Sequence, residues 1–152
     1  MSLAPLTAPS SSSVDEALRA AFALAADPDR WRPLVRHVPG DRWFLPLFEQ
    51  DDLCAWLISW APGTLVPLHD HGTATGALAV VGGELVEQVS SRARVEAGLP
   101  PSHVNRLPAG SIEPLVADLV HEVRNEGSVL AVSVHVYAPR LDAMRFYDGR
   151  DR

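Results

Sequence analysis

Two histidines, His69 and His71, are separated by a single residue, and a third, His121, follows 50 residues after His71. Residues two apart on a β-strand point to the same face, so the spacing of the first pair predicts side chains that converge. Three neutral imidazoles that meet at one point form a metal site, and imidazole binds iron, zinc, copper and nickel. The remaining histidines outside any motif, His37 and His103, are predicted to be surface residues.

A second group of polar side chains lies near the end of the chain, where Ser133, His135 and Tyr137 alternate with valines. On a strand the three polar side chains share one face. One interpretation is the solvated face of an edge strand with the valines in the core. The other, which we favour, is a hydrogen-bonded relay in which His135 orients the Tyr137 hydroxyl, a group that can donate or accept a hydrogen bond.

The composition is that of one globular domain. The chain has 152 residues, a hydrophobic fraction of 47% and a net charge of -6 without a basic block, which argues against a nucleic-acid partner. All 13 cationic residues are arginine, and Cys54 is the single cysteine, so neither an internal disulfide nor a cysteine-rich zinc site can form. Without a signal-peptide pattern or a membrane-length apolar run, we expect a cytoplasmic protein with no membrane partner.

Short helices are predicted before the strands, after a disordered segment at 1–12 that is rich in Ser, Pro and Ala. Ser13 and Glu16 form a capping-box pattern, which predicts a helix that runs to about Ala26. A second short helix is predicted over 31–38. We interpret the helices, over about 13–38, as a layer on a single domain that spans 13–152.

From Trp43 onward, short apolar segments are divided by Gly, Pro or acidic breaks, a pattern typical of strands. Strands are predicted over 43–48, 53–60, 65–68, 76–81, 84–89, 104–107, 112–115, 122–124 and 129–137. The polar stretch 90–102 is predicted to be a loop. Many short strands at even spacing predict an all-β barrel or sandwich, over about 42–139.

The histidines belong to a larger set of motifs between about Trp43 and Tyr147. These motifs are Trp60-x-Pro62-Gly63, His69-Asp70-His71-Gly72, Gly82-Gly83-Glu84-Leu85, His121-Glu122-Val123-x-Asn125 and Ser133-x-His135-Val136-Tyr137-x-Pro139, followed by Leu141, Met144 and Tyr147. The spacing of Gly63, His69 and His71, and that of Asp118, His121 and Asn125, resembles the two motifs of the cupin superfamily. The whole set resembles the cysteine dioxygenase family of thiol dioxygenases, in particular its short bacterial members.

The resemblance implies a single-domain cupin, which is a double-stranded β-helix or jelly-roll barrel, here with short N-terminal helices. It implies a mononuclear non-haem Fe(II) held by His69, His71 and His121. It further implies that a relay of Ser133, His135 and Tyr137 assists the addition of both atoms of O2 to the sulfur of a small thiol, which gives a sulfinic acid. L-cysteine is the default substrate, and we expect a monomer or homodimer.

The chain departs from the related families at three positions. The glutamate that cupins carry after the second histidine is absent from 72–76, so a divalent metal would keep its full charge and attract an anionic ligand. Gly76 stands where the animal enzymes have a cysteine that cross-links to the active-site tyrosine, so that cross-link cannot form. Cys54 is predicted to be a small buried hydrophobic residue. Pro46 stands where cysteine-specific members have an arginine that binds the substrate carboxylate.

The nearest arginine on the same predicted strand is Arg42, which lies about 13 Å from Pro46 at about 3.3 Å per residue. Arg42 is therefore a candidate for substrate binding only if the chain shifts locally. Further candidates are Arg106, Arg124 and Arg145. Loss of the bidentate arginine leaves another thiol, such as 3-mercaptopropionate or a carboxylate-free thiol, as an alternative substrate. A non-catalytic metal- or ligand-binding cupin, and a zinc or nickel cupin with hydrolytic or isomerase chemistry, also stay open.

Overall fold

The computed structural model describes residues 11–147, and within them the chain forms nine strands. The strands are β1 (Arg42–Glu49), β2 (Cys54–Trp60), β3 (Leu65–His69), β4 (Thr75–Gly82), β5 (Glu84–Ser91), β6 (His103–Pro108), β7 (Ile112–Leu115), β8 (Leu119–Arg124) and β9 (Ala131–Ala138). Their positions agree closely with the predicted ones, because Gly, Pro and acidic breaks end most of them.

The strands form two antiparallel sheets. The five-stranded sheet has the order β1-β2-β9-β4-β7, and the four-stranded sheet has the order β3-β8-β5-β6. One apolar cluster between the sheets joins side chains of both, for example Trp60 and Tyr137 from the larger sheet with Leu85 and Val123 from the smaller one. The all-β prediction is confirmed, and the architecture is that of a cupin barrel.

The first helix, α1 (Ser11–Ala25), lies on the outer face of the five-stranded sheet. Its buried residues Ala17, Ala21 and Leu24 belong to a second apolar cluster, which includes Val134 and Val136 of β9. The helix therefore covers the sheet on the side opposite to the barrel interior. In the part of the chain that the structure describes, no helix combines the length and the apolar character that a membrane crossing requires.

Three local predictions need correction. Ser13 is not the N-cap, because Ser11 and Ser12 are already helical, and most of the segment predicted as disordered lies outside the described residues. The helix predicted over 31–38 is only a single 3₁₀ turn, Arg32–Leu34, which follows another at Pro28–Arg30 and ends where Val35 adopts an extended conformation. The predicted loop 90–102 contains a short helix, α2 (Arg92–Glu96), which the Ser91 side chain caps by accepting from the Arg94 amide.

Strand β9 is a central strand that pairs with β2 on one side and β4 on the other, and all eight of its residues are buried. The alternative interpretation of its polar residues as the solvated face of an edge strand is therefore wrong. Val134 and Val136 pack in the cluster beneath α1, whereas His135 and Tyr137 face the barrel interior. Successive side chains of β9 therefore point alternately into two buried regions, the apolar cluster beneath α1 and the barrel interior.

Candidate metal centre

The three predicted metal ligands converge inside the barrel. His69 is the last residue of β3 and lies directly opposite His121 of β8 in the strand register. His71 follows beyond the end of the strand, so its convergence depends on the turn rather than on strand alternation. Gly72 permits that turn because it adopts a φ of +62°. One nitrogen of each histidine lies within 4.8 Å of the other two, which is close enough for one ion to bind all three.

Hydrogen bonds at the outer nitrogens orient two of these rings. His69 Nδ1 donates to the Pro67 carbonyl at 2.7 Å, and His121 Nδ1 donates to Glu87 Oε2 at 2.7 Å. Because both Nδ1 atoms carry hydrogen, the Nε2 lone pairs of His69 and His121 are left for the centre. The Asn105 amide in turn donates to Glu87 Oε1 at 3.1 Å. This chain of buried polar groups is the arrangement that fixes ligand histidines in metal sites.

His71 provides the test of whether these residues fit a metal ion. Its Nε2 is buried and has no hydrogen-bond partner within the described residues, although His69 and His121 lie beside it. A buried nitrogen without a partner is costly unless it binds a ligand. A metal ion would satisfy this atom together with the Nε2 atoms of the other two histidines, so the residues present fit a bound metal.

The protonation states of these rings also suit ligation. Burial, reinforced by the nearby His121, lowers the pKa of His69 to about 3 and that of His71 to about 2. Both rings are therefore neutral near pH 7, which is the form that binds metal. Burial opposes ionisation of Glu87, but hydrogen bonds from His121 and Asn105 outweigh it and lower the pKa of this carboxyl. The buried carboxylate of Glu87 thus carries a negative charge beside His121, the third histidine of the group.

His69 and His121 open onto a cavity of about 320 Å³ between the two sheets. Its polar or charged lining residues are His69, His121, His135, Tyr137 and Arg42. The rest of the lining is apolar and consists of Phe44, Trp56, Ile58, Trp60, Val66, Val123, Leu141, Met144 and Phe146. This volume is near the lower end for small-molecule sites. The polar groups of the lining are few: three histidines, one tyrosine and Arg42.

The predicted relay residues lie on β9, where His135 and Tyr137 line the cavity and Ser133 is fully buried outside the described lining. Trp60 Nε1 donates to Ser133 Oγ at 2.8 Å, and Ser133 Oγ lies 2.8 Å from His135 Nε2. Because a buried hydroxyl hydrogen needs an acceptor, we infer that Ser133 donates to His135. Among the described residues no hydrogen bond joins His135 to Tyr137, whose ring centroids are 6.5 Å apart. The structure places the three residues on one strand, and of these described residues only Ser133 and His135 are hydrogen-bonded to each other.

A family profile described as cysteine dioxygenase type I matches residues 6–150 of this chain. The chain belongs to the cysteine dioxygenase type I family. A metal-dependent cupin of the thiol dioxygenase type agrees with this family, with the barrel and with the three-histidine site.

Solved structures with the same fold include the protein TT1209 from Thermus thermophilus. It is 25% identical, with a TM-score of 0.60 over 72% of this chain and 93% of that one. An uncharacterised protein with a double-stranded β-helix domain from Klebsiella pneumoniae is 22% identical, with a TM-score of 0.60 over 75% and 90%. A cupin superfamily protein from Desulfitobacterium hafniense is 14% identical, with a TM-score of 0.58 over 73% and 89%. These likenesses support the cupin fold.

The position at which cysteine-specific members of the family have an arginine lies on β1. Pro46 is exposed and is absent from the described residues that line the cavity, whereas Arg42, four residues earlier, does line it. The Arg42 guanidinium lies 5.8 Å from the centroid of the Trp60 ring. The other candidates lie elsewhere: Arg106 pairs with Glu84, Arg124 pairs with Glu122 and Glu126, and Arg145 stacks on Tyr147.

Tyr137 is flanked by the two residues discussed for the family's cross-link. Gly76 on β4 and Cys54 on β2 lie directly opposite it in the two strand registers. A Cβ added at Gly76 would lie 2.2 Å from the Val136 carbonyl oxygen, so the strands approach too closely for a side chain. Cys54 is fully buried in the core, as predicted. Burial raises the pKa of the Tyr137 hydroxyl, which therefore stays protonated.

Two acidic residues near the site were not predicted from the sequence. Glu87 lies on the same face of β5 as the apolar Leu85 and Val89, and a carboxylate on an apolar face is the signal that could have revealed it. Asp70, between the two ligand histidines, is buried, and its carboxylate accepts hydrogen bonds from other parts of the chain. Neither residue is among the three predicted metal ligands, but both contact the segments that carry them.

Proposed function

We propose that this protein is a mononuclear non-haem Fe(II) thiol dioxygenase that converts a small thiol, L-cysteine by default, to a sulfinic acid. The observation that supports it best is His71 Nε2, a buried nitrogen that has no hydrogen-bond partner among residues 11–147 and lies beside His69 and His121, which line an apolar cavity. The family to which the chain belongs gives this site its proposed reaction. A buried three-imidazole site suits Fe(II) as well as other divalent metals.

The reaction balances without a further reductant. One thiolate and one O2 give one sulfinate, in which two sulfur–oxygen bonds form and the O–O bond breaks. Sulfur loses four electrons and dioxygen gains them. Bound Fe(II) would supply the redox chemistry and a binding position for the thiolate, held by His69, His71 and His121.

The chain's own residues would bind and orient the substrate. The apolar walls formed by Trp56, Ile58 and Phe146 exclude water from the sulfur. The Tyr137 hydroxyl, kept protonated by burial, can donate a hydrogen bond to the oxygens that the sulfur gains. Ser133 accepts from Trp60 and donates to His135, which fixes the His135 ring beside the site. His135 is neutral because burial, aided by the nearby His121, lowers its pKa to about 3.

We propose that Arg42 binds the acidic group of an anionic thiol. It is the charged residue outside the histidine cluster that lines the cavity, and arginine binds carboxylates in a bidentate manner. Its position differs from that of the family's arginine, so the acidic group would lie at the start of β1, four residues before Pro46. This difference keeps 3-mercaptopropionate and carboxylate-free thiols as alternatives to L-cysteine.

The proposed partners are a small thiol and O2, with no nucleic-acid or membrane partner. We place the protein in the cytoplasm, because its one cysteine is buried and unpaired, which suits a reducing compartment. Either a monomer or a homodimer would leave the described site complete, because all its residues come from one chain.

The experiment is oxygen uptake by the Fe(II)-loaded protein with cysteine, 3-mercaptopropionate and cysteamine. We expect one O2 consumed for each sulfinic acid formed, and two labelled oxygen atoms in the product when ¹⁸O2 is used. Arg42→Gln should raise the KM for the two carboxylate thiols and leave that for cysteamine unchanged. Absence of coupled uptake with every thiol would favour the non-catalytic binding cupin. Turnover of a substrate without oxygen uptake, in protein loaded with zinc or nickel alone, would favour the hydrolytic or isomerase alternative.

A further inference from the structure

The chain that follows β9 forms one wall of the cavity. Leu141, Met144 and Phe146 line it together with His69 and His121. Phe146 forms a β-bridge with His69, and the Tyr147 amide donates to the Leu68 carbonyl at 2.9 Å. We name residues 139–147 the C-terminal segment. It lies against the end of β3, beside the histidines.

In addition to this backbone pairing, the carboxylate of Asp70 holds the C-terminal segment. Asp70 Oδ1 accepts from the Gly72 amide at 3.0 Å and from the Arg145 amide at 3.1 Å. Asp70 Oδ2 accepts from Arg92 Nε at 3.2 Å and from the Tyr147 hydroxyl at 2.8 Å. The side chain of Asp70 is only 6% exposed. Four donors from the histidine turn, helix α2 and the C-terminal segment therefore meet at one buried group, where charge-assisted hydrogen bonds are strong.

Arg92 adds a second connection to the same turn. Its Nη2 donates to the Gly72 carbonyl at 2.7 Å, in addition to the contact of its Nε with Asp70. Asp70 is absent from the described residues that line the cavity, so it would not touch a thiol. Any effect of Asp70 on the substrate must therefore pass through the segments that it connects.

We propose that Asp70 is a positioning residue which, through Arg92 and Tyr147, holds the C-terminal segment in place as the substrate wall of the metal site. The anchoring is a property of the fold. Its consequence for substrate binding rests on the proposed thiol dioxygenase function. When the anchor is weakened, Met144 and Phe146 lose their fixed distance from His69, and the cavity no longer binds the carbon chain of a small thiol closely.

Arg92→Gln and Tyr147→Phe test the anchor without changing Asp70, whose replacement between two ligand histidines could disturb the fold. Arg94→Gln is the matched control, because Arg94 lies on the same helix α2 and donates to the Pro100 carbonyl, not to Asp70. Trypsin gives a direct readout, since the cationic residues of the chain are all arginine and the C-terminal segment contains Arg140 and Arg145.

In the Co(II)-loaded protein, we expect Arg92→Gln and Tyr147→Phe to speed trypsin cleavage after Arg140 and Arg145 by about tenfold, with Co(II) affinity within about twofold of wild type. Arg94→Gln should match wild type in both. In the Fe(II)-loaded protein, the KM for the best thiol should rise by about tenfold in the first two variants, while kcat changes little.

Each outcome decides a separate point. Equal cleavage rates in all proteins would overturn the anchoring, whatever the activity. Faster cleavage with an unchanged KM would overturn the role of the segment in substrate binding. Faster cleavage in a protein whose wild type oxidises none of the thiols would support the anchor and dismiss the proposed function.

Discussion

The two sheets of the barrel contribute different chemistry to the same cavity. The four-stranded sheet carries His69 and His121, and its strand β5 carries Glu87, which accepts from His121. The five-stranded sheet carries Ser133, His135 and Tyr137 on β9, and Arg42 on β1. One sheet thus holds the groups that fit a metal, and the other holds the groups that would face the substrate.

This division shows how the barrel separates metal binding from substrate choice. The histidines are oriented by partners on their own sheet or next to it, namely the Pro67 carbonyl and Glu87. Ser133 is likewise oriented by Trp60 on the neighbouring strand of its own sheet. Because each sheet supports its own polar groups, we expect substitutions on one sheet to change metal affinity and those on the other to change turnover.

The largest expected effect comes from His121→Ala on the four-stranded sheet. It removes one of three ligands and leaves the buried Glu87 without its histidine donor, so we expect the protein to retain no metal after gel filtration. The free energy of unfolding should fall by about 2–4 kcal/mol from the cavity and the unpaired carboxylate. Bound iron is measured by elemental analysis.

His103→Ala is the matched control for this variant. His103 is exposed at the start of β6, and its Nδ1 contacts the Ser102 hydroxyl at 2.9 Å rather than a ligand. The His103→Ala variant should bind one equivalent of iron, as the wild type does. A full equivalent of iron in His121→Ala would show that His121 is not a ligand, and it would contradict the assignment of metal binding to the four-stranded sheet.

A smaller effect, on turnover alone, is expected from Tyr137→Phe on the five-stranded sheet. The ring still fills its place beside His71, where the centroids are 5.3 Å apart, so metal affinity and stability should change little. Loss of a positioned donor should lower kcat by about 100-fold. Stopped-flow oxygen uptake measures it.

The chain's other described tyrosine sharpens this comparison. Tyr147→Phe removes a hydroxyl that donates to Asp70 outside the cavity lining, so it should act on KM rather than on kcat. An unchanged kcat in Tyr137→Phe would exclude its hydroxyl from the reaction and leave the five-stranded sheet as a passive wall.

The strand pattern could be predicted from the sequence because it depends on short-range spacing, and the three histidines of the candidate metal site could be predicted because their motifs resemble those of a known family. Alternation placed Ser133, His135 and Tyr137 on one face, and the family resemblance gave their proposed roles. Alternation does not set side-chain rotamers, so it could not predict which neighbours on that face would be hydrogen-bonded: the ring centroids of His135 and Tyr137 are 6.5 Å apart, and no hydrogen bond joins them within the described residues. Two residues of the same strand, Ser133 and His135, are in contact instead.

Asp70 and Glu87 could not be predicted because their partners come from distant parts of the sequence. Tyr147 lies 77 residues from Asp70, and His121 lies 34 residues from Glu87. Only the pairing of β5 with β8 brings the second pair together, and that register follows from packing of the whole sheet. The position of Arg42 on the cavity wall likewise depends on how β1 joins the edge of its sheet.

The smallest of these effects is expected for Glu87→Gln, which tests whether a buried charge replaces the glutamate missing from the cupin motif. The glutamine oxygen can still accept from His121 Nδ1, so the orientation of the ring survives while the negative charge is lost. We expect Co(II) affinity to fall by about tenfold, near the lower end of the 10–100-fold cost of changing a ligand's outer partner. Competition with a chelator measures the Co(II) affinity.

Glu84→Gln is the matched control, because Glu84 lies on the same strand but forms an exposed pair with Arg106 at 3.2 Å, which contributes little. Equal affinities in the two variants would mean that Glu87 only orients His121. A selective loss would mean that the four-stranded sheet supplies charge as well as ligands, and that the metal of this three-histidine site is partly neutralised from one residue further out.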